Sequence, residues 1–493
     1  MEKDKEVTSF RKLMWTYLVL ECLLAFQFLL SCRDDKFSSS PSDTLSFSQD
    51  TLRFDTVFTN VGSATGKVMV YNRHDDHLKI SSIRLNGGVE SPFRINVDGV
   101  SNTEFSDVEI FRKDSLFVFV EVTIDPNDEN TPFLVRDTIS FLTNTVKQQV
   151  ILEAYGQNAV VLRNSTIDSE TTLTPEKPYL IYGTCYVKEG ACLKISPGCR
   201  LYFHKDAGID VYGSMEVNGT ADQPVLFRGD RLDKFLKDYK YDDLPGLWNG
   251  IRFFSDGHLY VRNAIVRNGK TAILAKGTAL KYASLEFENV KIMNFDSCGI
   301  CAKNASLTIV NSLIADCKRH ALSQVGGELN VEQTTIANYF VNLASTETRT
   351  GASVALANYD YNENYELENV PLSKADFVNC VIYGSYKDEI ALRKSDDETV
   401  AFNFRFVSSL LKTEERADDA NFVQVIYDAP DFVSVKFPHD YHLNSESPAR
   451  DAVVTDAAVS QNYMYDLDGN NRLQDGKPDL GAYEYQLNTD EEE

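Results

Sequence analysis

The sequence predicts an all-β protein in which a β-sandwich precedes a solenoid of stacked parallel strands. Two observations point there. Residues 284–339 repeat one alternating apolar–polar pattern three times at a period of 22, with no helical stretch between the copies. Residues 45–157 hold about seven short alternating segments separated by turn residues. At 493 residues the chain has room for two or three domains. Its 49 Lys+Arg against 73 Asp+Glu give a net charge of −24, which speaks against nucleic acid as a partner.

The repeat reads L-E-F-E-N-V-K-I from Leu285, L-T-I-V-N-S-L-I from Leu307 and L-N-V-E-Q-T-T-I from Leu329. Strand alternation sets Ile292, Ile314 and Ile336 in one inward row. Asn289, Asn311 and Gln333 interrupt the alternation and shift its phase. Asn tolerates a left-handed backbone, so this row should bend the chain and stack its amides about 4.8 Å apart. The frame continues at wider spacing through Val261 to Asn268, Phe377 to Ile382 and Phe406 to Leu411. This pattern resembles the right-handed parallel β-helix of the pectate-lyase-like superfamily. The phrase I-Y-G-T-C-Y-V-K-E-G-A-C-L-K-I-S-P-G at 181–198 is similar to the opening coil of surface β-helices. S-P-A-R-D-A at 447–452, D-L-D-G-N-N-R at 466–472 and D-L-G-A-Y-E at 479–484 resemble the closing segment of secreted bacterial ones. Two stretches, 229–245 and 341–375, break the frame and read as flank insertions, where solenoids commonly place specificity.

Upstream, Lys3, Lys5, Arg11 and Lys12 precede a largely apolar run, so 1–31 reads as an export signal. Leu29-Leu30-Ser31-Cys32 resembles a lipobox, and Arg33-Asp34-Asp35 is similar to the acidic export signals of Bacteroidota surface lipoproteins. The resemblance implies an acylated Cys32, an outer-membrane lipoprotein facing the cell surface or the periplasm, and a Ser-rich tether over 32–44. A single-pass anchor is the alternative. Within 45–157, L-R-F-D-T-V-F at 52–58, K-V-M-V-Y-N at 67–72 and L-K-I-S-S-I-R-L at 78–85 resemble an Ig-like domain of the abnormal-spindle/Hydin type. Such a domain implies a spacer or docking module without catalytic residues. Residues 158–485 are then the β-helix with its cap, and 486–493 an acidic tail.

Pectate-lyase-like enzymes set carboxylates and a basic proton acceptor on one face of neighbouring coils. Stacking at 22 residues gives no acidic column here, only Asp296 over Lys318 and Cys298 over His320. The best acidic–basic cluster is Asp230, Arg231, Asp233, Asp242 and Asp243 in the first insertion, with a solvated loop face as the plainer reading. Sugar rings stack on aromatic side chains, which nominates Tyr239, Tyr241 and Trp248 beside Asp242 and Asp243. It nominates equally Tyr359, Tyr361 and Tyr365 beside Asp360 and Asn362. The alternative is that these rings cover a solenoid flank. Asp466, Asp468 and Asn470 alternate like Ca²⁺ ligands, but Asn471 and Lys477 stand where a Gly and a bidentate Glu are needed. A side-chain-bonded cap turn is expected instead, and no cofactor. Cys185, Cys192, Cys199, Cys298, Cys301, Cys317 and Cys380 read as small buried residues, with one disulfide among the first three left open. The expected function is a surface lipoprotein that binds a polysaccharide or a cell-surface protein. Against it stand a polysaccharide lyase or glycoside hydrolase on the same scaffold, and an architectural envelope protein without ligand.

Overall fold

The computed structural model describes Trp15 and residues 36–63, 65–236, 239–254, 257–414, 419–454 and 464–486. Cys32 and all but the first residue of the acidic tail lie outside them. Among the described residues, no helix is long and apolar enough to cross a membrane. The chain divides into two compact units, one of residues 1–125 and 133–156, the other of 126–132 and 157–493.

The first unit builds two five-stranded sheets. One orders Ser46–Phe47, Gly66–Tyr71, Ser115–Val122, Phe93–Val97 and Val100–Ser101, paired antiparallel. The other orders Thr51–Phe58, Val146–Gln157, Phe133–Thr143, Leu78–Leu85 and Glu104–Ile110. Alternation sends Val68, Val70, Val118, Val120, Ile139, Phe141, Val150 and Leu152 into a common core. Leu78–Leu85 shows how sequence sets local geometry. Its apolar residues fall at 78, 80, 83 and 85, and the three-residue step would turn the second pair outward. A β-bulge between Ile80 and Ser82 restores the phase, and all four side chains are buried.

Among the described residues, the second unit is built on a 25-stranded parallel sheet in which strands pair with their counterparts on neighbouring coils. The 22-residue register holds: Leu285 pairs with Leu307 and Leu307 with Leu329, while Ile292, Ile314 and Ile336 align and are fully buried. The wider offsets hold too, with Val261 against Phe287, Ile336 against Ile382 and Phe377 against Phe406. Asn263, Asn289, Asn311, Gln333 and Asn379 all adopt φ between 47° and 56°, so the bend row is left-handed as expected. The Asn311 amide donates to Asn289 Oδ1 at 2.6 Å, forming one rung of the ladder. The ladder stops there. Gln333 is one methylene longer, and its buried amide makes no side-chain hydrogen bond among the described residues.

Two expectations need correction. Residues 341–375 are not one insertion. Val354–Ala357 and Leu372–Val378 are coil strands, pairing with Leu322–Glu332. The four residues V-A-L-A are all buried and so carry no alternation to reveal them. What leaves the frame is a loop over 339–353 and a hairpin of Tyr359–Tyr361 with Leu367–Asn369. Residues 126–132, expected in the first domain, cluster with the second unit, where the Asn158 amide donates to Asn127 O at 2.8 Å.

The C-terminal segment packs along the outward side of successive coils, its own small core of Phe432, Tyr441, Leu443, Ala449, Leu480 and Ala482 lying against Leu313, Ala337, Val381 and Leu410. Arg472, fully buried, donates to Asn311 Oδ1 at 2.6 Å and to the Gly481 and Ala482 carbonyls. The cap thus takes up the open end of the amide ladder. Replacing Ile314 by Asp would bury a charge among apolar coils and should cost about 3–5 kcal/mol. A thermal unfolding midpoint equal to that of the wild type would contradict the inward row.

Candidate functional site

Among the described residues, three excursions leave the coils, over 230–249, 339–353 and 359–369. In the first excursion, 230–249, the nominated carboxylates are mostly engaged in holding the loop. Asp233 takes a bidentate grip from Arg231 at 2.7 and 2.6 Å. Asp242 lies 3.2 Å from both Arg228 and Arg267 and accepts from the Asn268 amide at 2.9 Å. Asp243 accepts from the Lys240 backbone N–H and closes a 3₁₀ turn. These are loop clamps.

Asp230 differs. Its Oδ2 lies 2.7 Å from His204 Nδ1, and burial pushes its carboxyl up against the pull of that histidine. The His204 ring sits 4.6 Å from the Tyr182 ring, and the Arg163 guanidinium 3.9 Å from the Tyr182 centroid. Backbone pairing places the four on consecutive coils, one residue per coil. The sequence hid this column because its members lie 19, 22 and 26 residues apart, so no constant period marks them. It is an acid–base couple with His204 half exposed. A carboxylate orients the imidazole there, as in proton-transfer sites.

The aromatic candidates divide sharply. Trp248 is fully buried, stacked on Phe203 at 4.1 Å with its Nε1 donating to Arg267 O, so it belongs to the tube interior and offers no face to a sugar. Tyr239 and Tyr241 are half-buried against Phe235, Phe437 and the Arg231 guanidinium. Their rings are already in contact with protein.

In the hairpin the rings are open. Tyr361 is 57% exposed and Tyr365 89%, while Tyr359 meets Tyr361 edge-on at 6.1 Å. Asp360 and Glu368, one on each strand, both grip Lys303 Nζ at 3.0 and 2.7 Å. Lys303 lies in a coil strand, so the hairpin is pinned to the solenoid. The turn is drawn tight by Asn362, whose Oδ1 accepts from the backbone of Asn364 and Glu366. Asp360 and Asn362 therefore position the rings and are committed to that task.

The Ca²⁺-like triad is a cap turn. Asp466 Oδ1 accepts from the backbone of Asp468 and Asn470, and Oδ2 from Glu484 and the Asn470 amide. Asp468 is bound to His442 and Lys291, each at 2.8 Å. Among the described residues no group of three or more His, Cys, Asp or Glu could hold a metal ion. The seven described cysteines are free thiols, so the disulfide left open among Cys185, Cys192 and Cys199 is not formed.

No family model matches the chain, and no curated protein matches it. Solved structures give distant likenesses. A family 123 glycoside hydrolase from Clostridium perfringens has a TM-score of 0.19 at 11% identity, covering 26% of this chain and 31% of that one. This chain thus spans under a third of that enzyme. The catalytic domain of a GH87 α-1,3-glucanase, solved with tetrasaccharides, has a TM-score of 0.18 at 11% identity over 73% of this chain and 86% of its own. A chaperone–tip adhesion subunit complex from Acinetobacter baumannii has a TM-score of 0.15 at 14% identity over 23% and 52%. At scores this low the function has to be read from the residues themselves.

The His442–Asp468 contact makes the cap pH-sensitive. The Asp468 hydrogen bond raises the His442 imidazole above its usual range against partial burial, with Asp440 adding to it. In return His442, helped by Lys291, holds the Asp468 carboxyl at about 2. A raised imidazole stabilises the fold fully below its unfolded value of about 6.5, and that stabilisation fades as pH climbs through the folded value. The Asp468 share is present above about pH 4 and fades as pH falls towards 2. The wild type should therefore outlast His442→Gln in thermal melts at pH 5 by more than at pH 9. A constant gap across that range contradicts the assignment.

Proposed function

We propose that this is a surface-anchored recognition protein: an Ig-like stalk bearing a right-handed parallel β-helix that binds a glycan at the hairpin Tyr359–Asn369. One observation supports the reading above the rest. Two tyrosine rings stand 57% and 89% exposed on a hairpin that a buttressing lysine holds in place. Tyr365 moreover takes φ 61°, a conformation that costs a bulky residue strain. Packing gives no reason to retain a strained, exposed ring, whereas an aromatic platform for a sugar face does. The net charge of −24 favours neutral over anionic polymers as ligands. Acylation of Cys32 supplies the anchor, and the first unit the spacing from the membrane.

Tyr361→Ala with Tyr365→Ala should lower retention on an immobilised polysaccharide that holds the wild type by tenfold or more, at unchanged thermal stability. Lost stability without any wild-type retention would make the hairpin a packing element. The same assay should be scored for released oligosaccharide: release by the wild type that His204→Gln abolishes would favour the enzyme reading on the His204–Asp230 couple. The anchor is tested separately. Cys32→Ala should leave the membrane fraction or remain unprocessed; a mature-sized variant still in the membrane contradicts acylation at Cys32.

A further inference from the structure

We infer that the remaining excursion, the loop over 339–353, forms a pocket for a single neutral sugar ring. The inference rests on the glycan reading above and adds to it a second site and a ligand charge. The loop and the following coil enclose about 380 Å³, within the range of small-ligand sites, with an open mouth.

The floor is unusually well fixed. Arg349 and Glu389 are 2% and 0% exposed and join through two hydrogen bonds of 2.7 Å. Glu389 also accepts from the Ser353 hydroxyl and backbone and from the Tyr386 backbone, at 2.7 to 2.9 Å. Arg349 further donates to Asn338 O at 2.6 Å and Gly351 O at 2.9 Å. Removing either partner would leave a buried charge, so the pair locks this loop to its coil. A locked loop is preorganised and need not be ordered by its ligand.

The lining then sets the ligand class. Phe340, buried, and Val341, 45% exposed, give apolar surface. The Tyr386 hydroxyl donates to Arg349 O at 2.7 Å, which fixes that ring at the pocket wall. Thr346, Thr348 and Ser385 bring hydroxyls to the lining, all three exposed. Among the described residues that line the pocket the one cation, Arg349, is neutralised by Glu389, and the rim carries a carboxylate, Glu347, paired to Lys318 at 2.9 Å. An anion entering here meets a carboxylate and no uncompensated charge. A ring with apolar faces and hydroxyl edges meets matching groups on each side.

The ring could be a free sugar or the end of a chain, and the test separates them. Saturation-transfer NMR on the full chain would use methyl glycosides of glucose, galactose, mannose and N-acetylglucosamine, the corresponding linear oligosaccharides, and methyl glucuronide. At least one neutral glycoside should bind, with methyl glucuronide tenfold weaker or worse. Thr348→Trp and Ser345→Trp, both at the exposed rim, should each weaken that binding at least tenfold at unchanged thermal stability. Tyr361→Ala with Tyr365→Ala should leave it within twofold. Oligosaccharides tighter than the glycosides place a chain end in the pocket; equal affinities place a free sugar there. Absence of binding by every neutral glycoside and oligosaccharide, insensitivity to both tryptophans, or equal affinity for methyl glucuronide would each overturn the inference. Polymer retention lost on removing the tyrosines while glycosides never bind sinks the pocket alone. Glycoside binding that the tryptophans block, without tyrosine-dependent retention, sinks the hairpin reading alone.

Discussion

Backbone hydrogen bonds between one coil and the next hold the second unit together, and they tolerate no slip. A shift of one residue would turn Ile292, Ile314 and Ile336 outward and Lys291 inward. The register survives coils of different length because successive coils turn in the same left-handed conformation. Asn263, Asn289, Asn311, Gln333 and Asn379 take the left-handed conformation at equivalent places, so the chain re-enters the same strand direction whatever has intervened. Excursions are thereby made cheap. A loop or hairpin can leave between two strands, and the coil resumes as though nothing were inserted, as Val354–Ala357 and Leu372–Val378 do on either side of the tyrosine hairpin.

That constraint explains what was legible in the sequence. The period, the inward row and the bend row could be read because polar and apolar residues alternate between a buried and an exposed face. Val354–Ala357 could not, since all four of its residues are buried and alternation vanishes. The bulge in Leu78–Leu85 went unread, although the three-residue step between its apolar residues marks it. Side-chain fate inside an irregular loop was not. Trp248 and Tyr361 both stand near tyrosines and carboxylates in sequence, yet one lines the tube and the other stands in solvent.

Side-chain contacts across coils were the least legible of all. Arg349 and Glu389 are 40 residues apart, Lys303 and Glu368 are 65, and Arg472 reaches Asn311 across 161. No local pattern records such distances. Each nevertheless has a plain physical role: Arg349 locks a loop, Lys303 pins a hairpin, and Arg472 joins the cap to the amide ladder. The acidic cluster of the first excursion shows the converse. Its residues looked like chemistry because they are dense, and Asp233, Asp242 and Asp243 are dense because a loop without strands needs clamps. Only Asp230, drawn onto the coil face beside His204, keeps a potential for proton transfer.

Recognition in this account belongs to the two excursions on either side of Val354–Ala357, each held to the coils by a charge pair, and not to the loop at 230–249. Amide hydrogen exchange of the full chain, with and without a polysaccharide that retains it, tests that claim most directly. Added protection should be confined to 340–349 and 359–369, with the coil strands unchanged. Protection over 230–249 and the Tyr182–His204 face instead, or over none of these segments, would contradict it.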